Sequence, residues 1–498
     1  MQISKNLIQY SEIDDDGGNF MRKTKIICTL GPAVDSDEMI RKMMINGMDC
    51  ARMNFSHGTH EEHLARIERV KRVRKELNRN IPILLDTKGP EIRVKDFEKS
   101  SVELTAGQTF VFYAKERLGD ESGVSVTYPH LAESVSKGTT ILIDDGKVAV
   151  EVTELDGENV VCKVINGGKI SNHKSINIPN VRVDMPYLSE TDKSDILFGI
   201  ENDIDFIAAS FVRTASDILE LRKLLKDNGG EAIKIIAKIE NGEGVDHLDE
   251  IIEVSDGVMV ARGDMGVELP FTMLPKIQKD MIKKCYRAGK HVVTATQMLE
   301  SMTHSPRPTR AEVSDVANAI YDGTTAIMLS GESAAGDYPV ESVRTMAEIA
   351  ESTEQSIRYP VRYERNKLDL GHDILNAISN SACGASYRLN AKAIVALSRT
   401  GRTAKQLSNY RPSCPILAAV LDEKACRQLS LAWNVKPILS QEKHSTDDLL
   451  QQGICVAVRE GIAAVGDTIV LTCSAAIGDP NTDLMKVHVI SEEDLIEE

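Results

Sequence analysis

Short apolar runs alternate along most of the chain with stretches in which apolar positions recur every three or four residues, the signature of strands followed by helices. Thr24–Leu30 (TKIICTL) reads as a first strand, stopped by Gly31-Pro32. A helix follows from about Asp35, capped by Asp35 or Ser36, with Met39, Met43 and Met44 on its apolar side. Cys50–Phe55 is a second strand, followed by Ser56-His57-Gly58-Thr59 and a basic helix to about Leu77. Ile81–Leu85 is the third and runs into Asp86-Thr87-Lys88-Gly89-Pro90.

The rhythm then changes. From Glu91 to Pro186 the runs are short and alternating: Val102–Leu104, Thr109–Tyr113, Gly123–Val126, Thr140–Ile143, Val148–Val152 and Val160–Ile165. Asp-Gly and Gly-Gly pairs separate them, and the only helical piece lies near Tyr128–Val135. Strand–helix alternation resumes with Phe206–Phe211, Ile235–Glu240, Val258–Arg262, His291–Thr296 and Ala326–Ser330. With the first three, these make eight strands, the closing number of a (β/α)8 barrel; a doubly wound open sheet would not need eight. The segment Arg358–Asp373 reads as a linker. Beyond it, strands Ala393–Leu397, Ile416–Val420, Ile438–Leu439, Thr468–Thr472 and Val487–Ile490, with helices Ile374–Arg388, Thr403–Tyr410, Glu423–Ala432 and one near Asp447–Glu460, form a second α/β unit. The expected organisation is a flexible leader (1–20), barrel (21–90), inserted all-β lid domain (91–186), barrel again (187–352) and a C-terminal open α/β domain (353–498) serving regulation or assembly.

The strand ends carry the candidate chemistry. Lys238 and Glu240 are two apart and so point to one side of a strand; Asp264 lies at the end of the next strand. A lysine and two carboxylates there suit a divalent cation and a phosphate: Mg²⁺ takes one or two carboxylates plus substrate oxygens, and the ammonium meets charge that develops during reaction. An ion pair closing two buried strands is the plain alternative. Arg52, Asn54 and Ser56 share one face of the second strand, and Asp86-Thr87 ends the third. The oxygens of Asn54, Ser56, Asp86 and Thr87 suit a monovalent cation or a capped strand end, and Arg52 an anion clamp or a structural ion pair. His57, His60 and His63 lack the i, i+4 spacing of a helical zinc site and read as a solvated helix start. Arg93 and Lys174, near the lid's entry and exit, could reach a polyphosphate. In the C-terminal unit, Ser398-Arg399-Thr400-Gly401-Arg402-Thr403 joins a strand to a helix N-terminus, a cradle for a phosphate or a simple helix cap.

Composition narrows the classes. The net charge of −16 and an aromatic content of 4 % argue against a general nucleic-acid binder. There is no P-loop, and Gly242-x-Gly244 continues into His247 instead of a third glycine. Arg262-Gly263-Asp264 spells an adhesion tripeptide, which a strand end does not present as a loop. Nine cysteines without a CxxC pair indicate free thiols in a reducing cytoplasm. No apolar run reaches membrane-spanning length.

The motifs CTLGPA (Cys28–Ala33), ARMNFSHG (Ala51–Gly58), LDTKGPEIR (Leu85–Arg93), IAKIEN (Ile236–Asn241), VMVARGDMGVELP (Val258–Pro270), ATQMLESM (Ala295–Met302) and IMLSGESAAGDYPVE (Ile327–Glu341) resemble the pyruvate kinase family, in the same order. The resemblance spans about Met21 to Ile490. It implies phosphoryl transfer from phosphoenolpyruvate to ADP, giving pyruvate and ATP. It also implies Mg²⁺ (or Mn²⁺) on Glu240 and Asp264, and K⁺ on Asn54, Ser56, Asp86 and Thr87, with Glu91 in the form associated with K⁺ dependence. By the same resemblance, Lys238, Arg52 and Thr296 are catalytic. Arg52, Lys238, Gly263, Asp264 and Thr296 hold substrate, with Gly263 and Asp264 offering backbone N–H groups to its carboxylate and Thr296 lying in the proton path to pyruvate. Asn54, His57, Arg93 and Lys174 contact nucleotide, although HKSINIP departs from the family around Lys174. Residues Ser398 to Thr403 bind a phosphorylated allosteric effector, and the chain assembles as a homotetramer. The loop Ser474–Thr482 departs from the more Gly- and Ser-rich family form.

Two other functions compete. A metal-dependent 2-keto-acid lyase on such a barrel would not need the lid, the K⁺ set or Lys174. A non-catalytic sugar-phosphate or nucleotide sensor predicts loss of Lys238, Glu240, Asp264 or Thr296, and none is lost.

Overall fold

The computed structural model describes residues 21–179, 181–365, 373–476, 478–479 and 481–495; the expected leader lies outside them. Eight strands close into a barrel in the order Lys25–Thr29, Ala326–Leu329, His291–Ala295, Gly257–Ala261, Lys234–Ile239, Phe206–Ala209, Ile83–Asp86 and Cys50–Asn54. Every neighbouring pair is parallel, as crossover helices on the outside require. The strands are buried on both faces, which explains their unbroken apolar runs. Local chemistry starts the helices: Ser36 caps Asp37–Ile45 by accepting the Met39 N–H, and Thr59–Glu62, Ser189–Asp192 and Thr309–Glu312 form capping boxes.

The inserted segment folds around its own core, which includes Phe110, Phe112, Val150 and Val160. Its seven-stranded sheet runs Ile92–Arg93, Ser175–Asn177, Thr140–Ile143, Val148–Asp156, Asn159–Asn166, Thr109–Tyr113, Gly123–Ser125, beside a ladder of Gly168–Ser171 on Ser101–Leu104. Ile92–Arg93, Gly168–Ser171 and Ser175–Asn177 were not expected as strands; each is too short to show a period and is defined by its partner. The C-terminal sheet orders Val435–Leu439, Ile416–Val420, Ala393–Leu397, Thr468–Cys473 and Leu484–Val489, the last antiparallel.

Three expectations are corrected. The linker is helical over Tyr359–Arg365, because Tyr359 is buried against Trp433 with ring centroids 5.5 Å apart; residues 366–372 lie outside the described residues. Val245, Leu248, Ile251 and Ile252, whose helical spacing predicts one helix, belong to two, Gly242–Asp246 and Leu248–Val254, joined at His247. Gly244 sits inside the first because a Cβ there would come within 2.5 Å of the Val212 carbonyl oxygen. Finally, strand pairing ends at Ala261, so Asp264 stands in the first turn of the helix Arg262–Glu268 and not on the strand.

Candidate active site

The C-terminal ends of the barrel strands hold a buried charge cluster. Asp86 accepts from Arg52 Nε at 2.7 Å through one oxygen and from Lys238 Nζ at 3.0 Å through the other. Arg52 also donates to Thr29 Oγ1 at 2.8 Å. Lys238 Nζ donates to Ser210 Oγ at 2.7 Å and lies 3.0 Å from Glu240 Oε1. The predicted common side of Lys238 and Glu240 is therefore real. Burial alone would raise the Asp86 carboxyl, but Arg52 and Lys238 outweigh it and hold it below its ordinary value. Burial opposes the Lys238 ammonium, yet Asp86 and Glu240 outweigh it and push that group up. Both are charged at neutral pH.

Glu240 is fully buried. Its Oε2 accepts the Phe211 N–H at 2.7 Å, whereas its Oε1 accepts no aligned hydrogen bond despite the nearby ammonium. Burial, with Asp264 adding, raises this carboxyl, and Lys238 only partly offsets the rise. A buried carboxylate oxygen with spare acceptor capacity, beside a second carboxylate, is the donor set a hard divalent cation completes. Among the described residues, no group of three or more His, Cys, Asp or Glu side chains gathers as a metal site. Thr296 Oγ1 accepts the Gly263 N–H at 2.7 Å and donates to the Ala295 carbonyl at 2.6 Å. The Gly263 N–H is thus occupied by Thr296 in this structure.

The oxygen-bearing residues Asn54, Ser56, Asp86 and Thr87 lie at or just past the ends of two neighbouring strands. Asn54 pairs in register with Asp86, Asn54 Oδ1 accepts the Ser56 N–H at 3.2 Å, and Thr87 Oγ1 accepts the Ser210 N–H at 3.1 Å. His57 is exposed, and its carbonyl faces His63 Nε2 at 2.8 Å. The solvated helix start is corrected at His63, which is buried and stacked on Phe55 at 4.0 Å. His60 stacks on Phe198 and meets Asp195 at 2.6 Å. In the lid, Arg93 pairs with Ser175, and Lys174 stands one position off, its carbonyl accepting the Val94 N–H at 2.9 Å. Arg93 is ion-paired to Glu91 at 2.5 Å and Lys174 to Asp144 at 2.8 Å.

Sequence reasoning missed Ser210. Its hydroxyl donates to the Thr87 carbonyl at 2.6 Å and lies 3.2 Å from Asp86 Oδ1. A polar residue interrupting the apolar run Phe206–Phe211 just before its end was its one signal. In the C-terminal unit, the helix Arg402–Asn409 starts at Gly401 with no side-chain cap. Ser398 Oγ accepts the Gly401 N–H at 3.0 Å, Arg399 pairs with Glu442, and Thr403 meets Thr482 at 2.5 Å. The hydroxyls are thus not spent on a helix cap. The loop opens on a cavity of about 150 Å³ bounded also by Ser474 and Asp479.

A closed parallel barrel with a β lid and an interior cluster of lysine, arginine and carboxylates at its strand ends defines the class: a barrel enzyme built to neutralise charge on anionic substrates. The matches to known proteins specify it. Residues 21–343 match the family model "Pyruvate kinase, barrel domain", and residues 376–488 match "Pyruvate kinase, alpha/beta domain". The chain is 48 % identical over 472 residues to a pyruvate kinase of Clostridium acetobutylicum, covering 94 % of this chain and 100 % of the relative. It is 48 % identical over 475 residues to one of Sporosarcina psychrophila, covering 95 % and 81 %. A crystal structure of a pyruvate kinase from Cryptosporidium parvum superposes with a TM-score of 0.89 at 39 % identity, covering 94 % of this chain and 96 % of that one. The chain belongs to the pyruvate kinase family, and its activity is the glycolytic transfer of a phosphoryl group from phosphoenolpyruvate to ADP with a divalent metal. Neither the lyase nor the sensor reading is favoured.

Proposed function

We propose that Mg²⁺ binds Glu240 and Asp264, and that K⁺ binds Asn54, Ser56, Asp86 and Thr87. The orphaned Glu240 oxygen supports the first, and the register of Asn54 with Asp86 the second. When bound, the divalent ion supplies Lewis-acid stabilisation of substrate oxygens. The residues do the rest. Arg52 and Lys238 face the phosphoryl group as it moves; in a buried site their charges need no reorganisation. Asp86 holds both cations at fixed positions. Thr296 presents a hydroxyl for the proton that converts enolpyruvate into pyruvate. Asn54, His57, Arg93 and Lys174 take the nucleotide, with Arg93 and Lys174 exchanging Glu91 and Asp144 for phosphates. The Ser398–Thr403 loop takes a phosphorylated effector, in a homotetramer of the cytoplasm; nine free thiols support that compartment, and among the described residues no helix is long and apolar enough to cross a membrane.

The observation that carries the catalytic reading is the Lys238 ammonium, held between Asp86, Ser210 and Glu240. The test is pyruvate formation from phosphoenolpyruvate and ADP with Mg²⁺, comparing K⁺ with Na⁺ and wild type with Lys238→Met. Turnover that needs K⁺ and falls by about a thousandfold or more in the variant is expected. Equal rates in Na⁺ would remove the K⁺ assignment, and an active Lys238→Met variant would remove the role of Lys238.

A further inference from the structure

The turn that follows the strand His291–Ala295 is strained. Thr296 has φ 68° and Gln297 φ 53°, a left-handed backbone that a β-branched residue keeps only where its surroundings impose it. One side chain imposes it here. Arg262 Nε lies 3.2 Å from the carbonyl oxygens of both Ala295 and Thr296, and Nη2 donates to Thr296 O at 2.7 Å and Gln297 O at 3.3 Å. The other edge of the guanidinium is gripped by Asp315, at 2.8 and 2.6 Å, and by Gln278 Oε1 at 3.4 Å. Three consecutive carbonyls converge on one planar fork, a task for which the compact ammonium of lysine is unsuited. The same peptide unit fixes the Thr296 hydroxyl, which donates to Ala295 O.

We propose that Arg262, anchored by Asp315 on the helix Arg310–Asp322, is a positioning residue for the protonation half of the reaction. This rests on the reading of Thr296 as the hydroxyl in the proton path. In that half, the C2=C3 electron pair of the enolate takes up a proton. A C3–H bond forms, the C2–O bond becomes a carbonyl, and the hydroxyl that gives the proton regains one from water. Arg262 keeps that hydroxyl in place through the backbone. Phosphoryl transfer depends on the separate cluster of Arg52, Lys238 and Glu240.

The experiment follows exchange of pyruvate methyl protons with D₂O by NMR, with Mg²⁺, K⁺ and ATP present. Wild type, Arg262→Lys, Asp315→Asn and Thr296→Val are compared, each checked for native circular dichroism. Mn²⁺ affinity and the KM for phosphoenolpyruvate are measured in parallel. Exchange is expected to fall about 10- to 100-fold in Arg262→Lys and about 3- to 10-fold in Asp315→Asn, the cost of a misplaced catalytic group. Mn²⁺ affinity and KM should stay within about twofold. Wild-type exchange in Arg262→Lys and Asp315→Asn, alongside a depressed Thr296→Val, overturns the positioning role alone. A parallel loss of Mn²⁺ affinity overturns it too, because Arg262 would then act through Asp264. Undiminished exchange in Thr296→Val removes the reading of Thr296 on which the proposal stands.

Discussion

Single residues show how burial sets charge in this protein. His291 is buried at the start of its barrel strand, edge-on to Phe206. Desolvation, with Lys405 and Arg411 adding, lowers its pKa to about 3 against a weaker pull from Asp256. Folding therefore keeps it neutral where the unfolded chain protonates it. Stability is unaffected above pH 6.5 and is lost as pH falls from 6.5 towards 3, at up to about 1.4 kcal/mol per unit. Urea unfolding at pH 7.5 and 5.0 should show a smaller acid loss in His291→Gln than in wild type; an identical loss would assign the slope elsewhere. Ser210 acts on the neighbouring scale of one hydroxyl. Removing it in Ser210→Ala takes a hydrogen bond from Lys238, and kcat is expected to fall about tenfold, equivalent to about 1.4 kcal/mol. An unchanged kcat would make Ser210 a spectator.

At the scale of elements, the lid is tied to the barrel where its chain returns. Arg213 Nη1 donates to the carbonyls of Val183 and Met185 at 3.3 and 3.1 Å while its other atoms pair with Asp217. Arg182 reaches Glu243 at 3.4 Å, and Asn177 donates to Glu268 Oε1 at 3.2 Å. On the proposed nucleotide reading, these contacts govern how the lid presents Arg93 and Lys174. Arg213→Lys keeps the charge but loses the fork. Steady-state kinetics should give a KM for ADP raised about threefold to tenfold with kcat little changed; a KM at the wild-type value would mean that the lid angle is set by the other contacts. Element identity was legible wherever a run was long enough to show its period. The eight barrel strands and the capped helices were read within a few residues, whereas Ile92–Arg93 and Ser175–Asn177 were not, because two or three residues contain no period. The helix Tyr359–Arg365 was hidden because its stability comes from Tyr359 packing on Trp433, a residue far along the chain.

Across the whole molecule, the C-terminal unit closes the base of the barrel. Leu431 is fully buried in the same cluster as Ile27, Leu84, Phe206 and Val293 of the barrel interior. Arg427 pairs with buried Asp205 and with Asp203, both at 2.8 Å, and Gln428 donates to the carbonyls of Asp205 and Ala232. Without Arg427, buried Asp205 would keep only the Ile83 N–H at 2.9 Å and Arg74 at 3.9 Å. Arg427→Met is expected to destabilise the docked arrangement by about 3–5 kcal/mol. Calorimetry should then resolve an early transition for the C-terminal unit; a single transition at the wild-type temperature would show that Leu431 and the backbone contacts suffice.

The sequence alone determined the order of strands and helices, the count of eight, and the common side of Lys238 and Glu240. These follow from periods of two and 3.6 residues, which are local. It also placed Arg52, Asp86, Lys238 and Asp264 at or just beyond strand ends. What those ends do to one another is a matter of packing. Asp86 meets Lys238 across 152 positions of sequence, His63 turns inward onto Phe55, and Arg262 reaches past Asp264 to grip the turn at Thr296. Barrel closure brings these groups together, and no local period records which strand ends become neighbours. Burial then fixes their charges, because desolvation is a property of the finished core.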